Sequence, residues 1–153
     1  MITKPLIVYV EDDLDSFRLT QLRLQAKYEL LHAPNDADAC ALVQKHADQL
    51  YAILMDIELQ GSLLDGLQLS RLIRGLSVSG AVPAYAKQMP KLPHVPIIVM
   101  TAYVTKYSEA DVKQHGASQL LTKPIDFTRL NLALAQANIQ SVMARLATPA
   151  QRR

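Results

Sequence analysis

The chain is predicted to fold as an α/β domain, a doubly wound sheet of five parallel strands, and three observations carry that prediction. Short apolar runs bounded by turn signals recur along it, as in strands buried on both faces. Stretches of helical character separate these runs, so that strand and helix alternate five times. Capping residues and glycines punctuate the helical stretches where such folds need them.

In order, residues 6 to 10 read as the first strand and deliver Glu11-Asp12-Asp13. Residues 14 to 27 hold good helix formers without Gly or Pro, and Asp13 caps them. Residues 28 to 33 form a second strand of weaker pattern, then Asn35 or Asp36 caps a helix to about His46. Residues 51 to 55 are the third strand and deliver Asp56. Gly66 to Arg74 is the third helix, closed by Gly75. Residues 95 to 100 are the fourth strand, ending on Thr101, and 106 to 115 a polar helix ended by Gly116. Residues 119 to 122 are the fifth strand, which delivers Lys123-Pro124. Asp126 caps a final helix to about Leu146, with Pro149 beyond.

The domain therefore spans residues 1–147, and 148–153 are expected to be a flexible C-terminal tail. An insertion at about 76–96 interrupts the regular pattern with four prolines and Gly80. Such connections usually take about 2 to 6 residues, so this one is a tolerated surface insertion or a partner-docking loop. It links a helix end to a strand start, which places it at the rim opposite the polar strand ends and makes an active-site lid improbable.

Composition narrows the function. A chain of 153 residues is one domain, able to bury about 70% of its unfolded surface. Half of it is hydrophobic, and a net charge of +2 marks no nucleic-acid surface. No 18-residue apolar stretch and no signal segment is present, so neither a membrane span nor secretion is expected. Its single cysteine, Cys40, can form no internal disulfide, and a cytoplasmic location follows. Dinucleotide binding is unsupported, because no G-x-G-x-x-G follows the first strand.

In open α/β sheets, ligands sit beyond the carboxyl ends of the strands. Glu11, Asp12 and Asp56 would meet there, and like charges that close need a counter-charge. An all-oxygen set suits Mg²⁺, with Mn²⁺ possible, whereas zinc would want the histidines and Cys40, which are scattered. Asp56 is then a candidate nucleophile, able to take a phosphoryl group as an acyl phosphate. Lys123 offers a positive charge and Thr101 a hydroxyl to the transferred oxygens. Each residue alone has a bland reading, as a helix cap or a surface turn. Their joint occurrence at four strand ends is much harder to explain that way.

The chain resembles the receiver domain of two-component response regulators, with a flavodoxin-like (βα)5 fold, over nearly all of residues 5 to 146. The matching pieces are residues 7–13 (IVYVEDD), Met55-Asp56-Ile57, Asp65-Gly66, Met100-Thr101-Ala102, Gly116-Ala117 and Lys123-Pro124. The resemblance implies that Asp56 accepts phosphate from a phosphohistidine of a histidine kinase or phosphotransfer protein. It implies that Asp12 and Asp56 ligate Mg²⁺, that Glu11 acts through water, and that the backbone carbonyl of Glu58 completes the protein's share. Thr101 and Lys123 would hold the phosphoryl oxygens, and Lys123-Pro124 would be cis. Such a chain is no enzyme beyond its own Mg-dependent phosphorylation and dephosphorylation.

Three departures stand out. Leu120 occupies the place of the family's switch aromatic, so aromatic gating is not expected. The turn from Glu58 to Gly66 is slightly long and lacks the common proline. The 76–96 insertion is unusual. At Glu58, where the family tunes phosphate lifetime, the carboxylate could orient or repel the hydrolytic water. The alternatives are a receiver-like interaction or dimerisation module that is never phosphorylated, and a haloacid-dehalogenase-like phosphatase. The latter wants an Asp where Glu58 stands, and an earlier nucleophile.

Beyond Lys123-Pro124 come only one helix and a tail, so any output to a downstream target is expected to pass through noncovalent contact. On the final helix Phe127, Leu130, Leu134 and Ala137 share a face suited to the sheet. Leu132, Ile139, Val142, Met143 and Leu146 lie nearly opposite, where a homodimer or partner helix could dock, unless the insertion covers them. On the first helix Leu14, Phe17 and Leu24 line one face. Leu19, Leu22 and Ala26 line a second face, for which core packing is the plainer explanation.

Overall fold

The structure, a computed structural model, describes residues 3–147; the tail expected at 148–153 lies outside the described residues. Its elements are β1 (Leu6–Val10), α1 (Leu14–Leu24), β2 (Glu29–Ala33), α2 (Asp36–His46), β3 (Leu50–Asp56) and α3 (Gly66–Arg74). They continue with β4 (Ile97–Thr101), α4 (Glu109–Gln114), β5 (Gln119–Thr122) and α5 (Phe127–Leu146). All pairings are parallel and the strand order is β2-β1-β3-β4-β5, as expected for the doubly wound fold. The order reverses between β1 and β3, and a crevice opens at such a switch point beyond the strand ends. Glu11 and Asp56 lie there.

Alternation along the buried strands divides the core in two. Val8, Val10, Ile53, Met55, Ile97 and Val99 face the layer holding α2 and α3. Ile7, Tyr9, Leu54, Ile98 and Met100 pack against Phe17 and Leu24 of α1 and Leu130 and Leu134 of α5. No strand end can move far without disturbing both layers.

Local chemistry sets the helix starts. Asp13 accepts from Ser16 N at 3.1 Å, and Asn35 from Asp38 N at 2.8 Å. Asp65 with Gln68, and Ser108 with Asp111, form reciprocal capping boxes. Two helices are shorter than the sequence suggests: α1 stops at Leu24, and α4 begins only at Glu109 because Ser108 is its cap. Lys106 and Tyr107 thereby fall in a loop and face elsewhere. On α1, Phe17 and Leu24 are buried, but Leu14, Leu19 and Leu22 are exposed, so core packing does not explain the second face. On α5 the expected sheet face is buried around Leu130, Leu134 and Ala137. Leu132, Ile139, Val142, Met143 and Leu146 are exposed, and the insertion does not cover them.

The 76–96 segment begins and ends at the far rim, as its connections require. Its middle, however, packs along the α2 layer: Ala86 and Val95 are buried, and Val82, Tyr85, Met89 and Leu92 lie against the core. Arg74 clamps its end, donating to the carbonyls of Leu92 at 2.5 Å and Gly116 at 2.8 Å. Gln44 donates to the Tyr85 carbonyl at 3.2 Å. A short 3-10 turn, Ala84–Ala86, then aims the Tyr85 phenol at Asp36, at the start of α2.

Gly66 answers to the end of β3 rather than to a turn. A Cβ there would lie 2.1 Å from the Asp56 carbonyl oxygen, and the neighbour is backbone that cannot yield. Gly66→Ala is therefore expected to cost roughly 1–3 kcal/mol of stability, as overpacking does, and a denaturant melt against wild type measures it.

Candidate functional site

The residues singled out in the sequence converge at the rim. Glu11 continues the β1 ladder, its N–H donating to the Ala33 carbonyl at 3.0 Å, and is 1% exposed. Asp56 ends β3, opposite Met100, and is 7% exposed. Lys123 follows β5, with its N–H on the Thr101 carbonyl at 2.8 Å, and the Lys123–Pro124 peptide is cis, as expected. Its ammonium lies 2.9 Å from Glu11 Oε2 and 3.1 Å from Asp56 Oδ2. One carboxylate oxygen each from Glu11, Asp12 and Asp56 falls within a 4.8 Å cluster.

The flanking groups are engaged as well. Asp12 Oδ2 accepts from Gln60 N at 2.8 Å, which holds the loop after β3 against the cluster. Thr101 is buried, and its Oγ1 accepts from Tyr103 N at 3.0 Å, leaving the hydroxyl hydrogen free to donate. The Glu58 side chain turns toward the loop before α4, where Oε1 accepts from Tyr107 Oη at 2.7 Å and Lys106 Nζ at 3.3 Å. Those contacts hold its carboxyl below the usual carboxylate range. Leu120 and Tyr107 pack against the same buried cluster. His32 is committed to structure, stacked on Phe17 with a ring nitrogen 2.6 Å from the Glu11 carbonyl oxygen.

Sequence reasoning missed Lys106 and Tyr107 because they read as the start of a polar helix. It also missed the role of Asp36 as more than a cap. Asp36 is buried, and its carboxylate accepts from Ala37 N, Leu63 N, Leu64 N and Tyr85 Oη. Burial would raise its pKa, yet these donors hold it below the ordinary aspartate value.

Three carboxylates against one ammonium leave the cluster electrostatically short of positive charge. Burial, followed by the hydrogen bond to Asp56, pushes Glu11 up to about 7, although Lys123 acts the other way. For Lys123, burial opposes the charge, but Glu11 and Asp56 together outweigh it and raise its pKa. The donor set is all oxygen, with no His or Cys in it, and so suits a hard divalent cation.

A family profile for the response regulator receiver domain matches residues 7–135. The polar-differentiation response regulator DivK of Brucella anthropi is 28% identical over 124 residues, covering 80% of this chain and 87% of that protein. The crystallised receiver domain of NtrX from Brucella abortus is 25% identical, with a TM-score of 0.69, covering 86% of this chain and 97% of the other. A longer NtrX chain from the same organism, crystallised with ADP, has a TM-score of 0.76 at 24% identity; this chain spans 29% of its length.

The raised Glu11 pKa carries a sign. Between about 4.5 and about 7 the folded state holds a proton there that the unfolded state has lost. The native form thus binds more protons, and stability falls as pH rises through that window. Thermal melts with a chelator should show this fall in wild type and a flatter profile in Glu11→Gln.

Proposed function

The chain belongs to the response regulator receiver family, and we propose that it accepts a phosphoryl group on Asp56 from a phosphohistidine of a histidine kinase or phosphotransfer protein, in a Mg²⁺-dependent reaction. The family places it in two-component signalling, where receivers meet kinases and downstream targets and are not enzymes in the ordinary sense. The observation that carries the reading is the Lys123 ammonium within hydrogen-bond reach of both Glu11 and Asp56, with Asp12 in the same cluster.

In the proposed step an Asp56 carboxylate oxygen attacks phosphorus and the P–N bond breaks. The imidazole leaves with the bonding electron pair and takes up a proton. Lys123 is already at the carboxylate and would hold the phosphoryl oxygens as the Asp56 charge is consumed. Thr101, with its hydroxyl hydrogen uncommitted, would donate to another of those oxygens. Glu11, Asp12, Asp56 and the Glu58 carbonyl would hold Mg²⁺, and Mn²⁺ suits the same donors. When bound, the cation supplies the positive charge that this cluster lacks. Glu58, with Oε1 held by Tyr107 and Lys106, would orient or repel the hydrolytic water through its carboxylate.

Residues 1–147 would act as one domain, with 76–96 as an internal elaboration and 148–153 as a tail. Among the described residues no helix is long and apolar enough to cross a membrane, and a cytoplasmic location is part of the proposal. Output would pass through protein contact. The exposed stripe of Leu132, Ile139, Met143 and Leu146 supports a homodimer through α5 as one form of it.

Incubation with acetyl phosphate and Mg²⁺, read by intact mass, tests the chemistry. Wild type should gain one phosphate, whereas Asp56→Asn should gain none and a chelator should prevent the gain. Lys123→Ala should slow the gain by about 10²-fold or more, comparable to removing a preorganised donor at a reacting oxygen. Glu58→Ala should change the rate at which the acyl phosphate is lost, followed by the same method; an unchanged rate removes that role.

A further inference from the structure

We propose that the 76–96 segment is a strap that tunes the cation affinity of the acidic cluster, with Tyr85 and Asp36 as its positioning residues. The inference rests on the reading of that cluster as a Mg²⁺ site.

Asp36 stitches three segments together. It opens α2, yet its Oδ2 accepts from Leu63 N at 3.1 Å, Leu64 N at 3.0 Å and the Tyr85 phenol at 2.5 Å. Its own N–H donates to Ser62 Oγ at 3.0 Å, in the same loop. A carboxylate 3% exposed keeps its charge only while such donors replace water.

The loop so held runs from Asp56 to α3. Its first half meets the cluster through Gln60 N on Asp12, and its base closes through Gly66 N on the Ile57 carbonyl at 2.9 Å. Its second half is fixed through Ser62, Leu63 and Leu64, all to Asp36. Tyr85 is itself seated by packing of its side chain, with Val82, Met89 and Leu92, against the core. Losing the phenol leaves Asp36 Oδ2 short of one donor and invites the carboxylate, and the loop with it, to shift toward water. That shift passes to Gln60, Asp12 and the Glu58 backbone. Coupling of this kind is reciprocal, so a cation that fixes the loop also steadies the strap.

The test uses the metal alone. Mn²⁺ binding is followed by loss of the free-ion paramagnetic resonance signal, with Mg²⁺ as competitor, in wild type, Tyr85→Phe, Asp36→Asn and Gln44→Ala. Tryptic cleavage after the exposed Lys87 and Lys91 is timed in parallel with and without Mg²⁺. We expect Tyr85→Phe and Asp36→Asn to weaken Mg²⁺ binding by roughly three- to tenfold, less than the roughly 10- to 100-fold of partners that touch the metal ligands directly, because these two act one contact further out. Gln44→Ala, which touches the strap but not Asp36, should bind as wild type does. Mg²⁺ should slow strap cleavage in wild type and protect Tyr85→Phe less. Unchanged affinity and protection in Tyr85→Phe, even with a lower melting temperature, overturns the strap's role and leaves the site intact. An equal loss in Gln44→Ala overturns it as well, since general loosening then suffices. Wild type that binds neither metal defeats the Mg²⁺ reading itself.

Discussion

Like charge forced together at a strand switch point is the constraint on which the rest of the site depends. Glu11 and Asp56 sit on adjacent strands, nearly sealed from water, and Asp12 follows directly. Repulsion of this kind is expensive to bury, and only a short list of groups can offset it. Lys123 supplies one positive charge from the far side of β4, carried there by β5, which pairs in parallel with β4. The raised pKa of Glu11 records its burial first, and then its contact with the Asp56 carboxylate. In the proposed function, a divalent cation held by these oxygens meets that need.

A site built on strand ends is rigid, but the loops around it have no ladder to hold them. Here tyrosine hydroxyls supply the connection twice. Tyr85 reaches Asp36 under the loop after β3, and Tyr107 reaches Glu58 within it. Phenols suit this use, since the ring packs against the apolar core while the hydroxyl donates to a carboxylate at its margin. The loop bearing Glu58 and Gln60 is thus held from two sides by segments that carry none of the acidic cluster.

These contacts also explain what the sequence conveyed and what it hid. Strands and caps were legible because their signals are local: Asp13, Asn35 and Asp126 each bond an N–H two or three residues on. The acidic cluster was legible because the switch-point rule converts strand ends into neighbours. The Asp36–Tyr85 and Glu58–Tyr107 pairs each join residues 49 positions apart, and neither lies at a strand end. No periodicity announces them. The packing of the insertion is hidden for the same reason, because its apolar residues follow no helical or strand period and find the core individually.

Leu120 carries no hydroxyl, so the polar link from the loop after β3 to the α4 side of the molecule comes from other residues. The contacts that join those regions run from Glu58 to Lys106 and Tyr107. They are not equal. Lys106 is 61% exposed at the side chain and pairs at 3.3 Å, a geometry that water and salt weaken. The Tyr107 hydroxyl lies at 2.7 Å, and its ring packs against the buried cluster that also receives Leu120. Of the two, the phenol is therefore the firmer tie between the loop after β3 and the segment before α4, because its ring is packed and its hydroxyl is the closer donor.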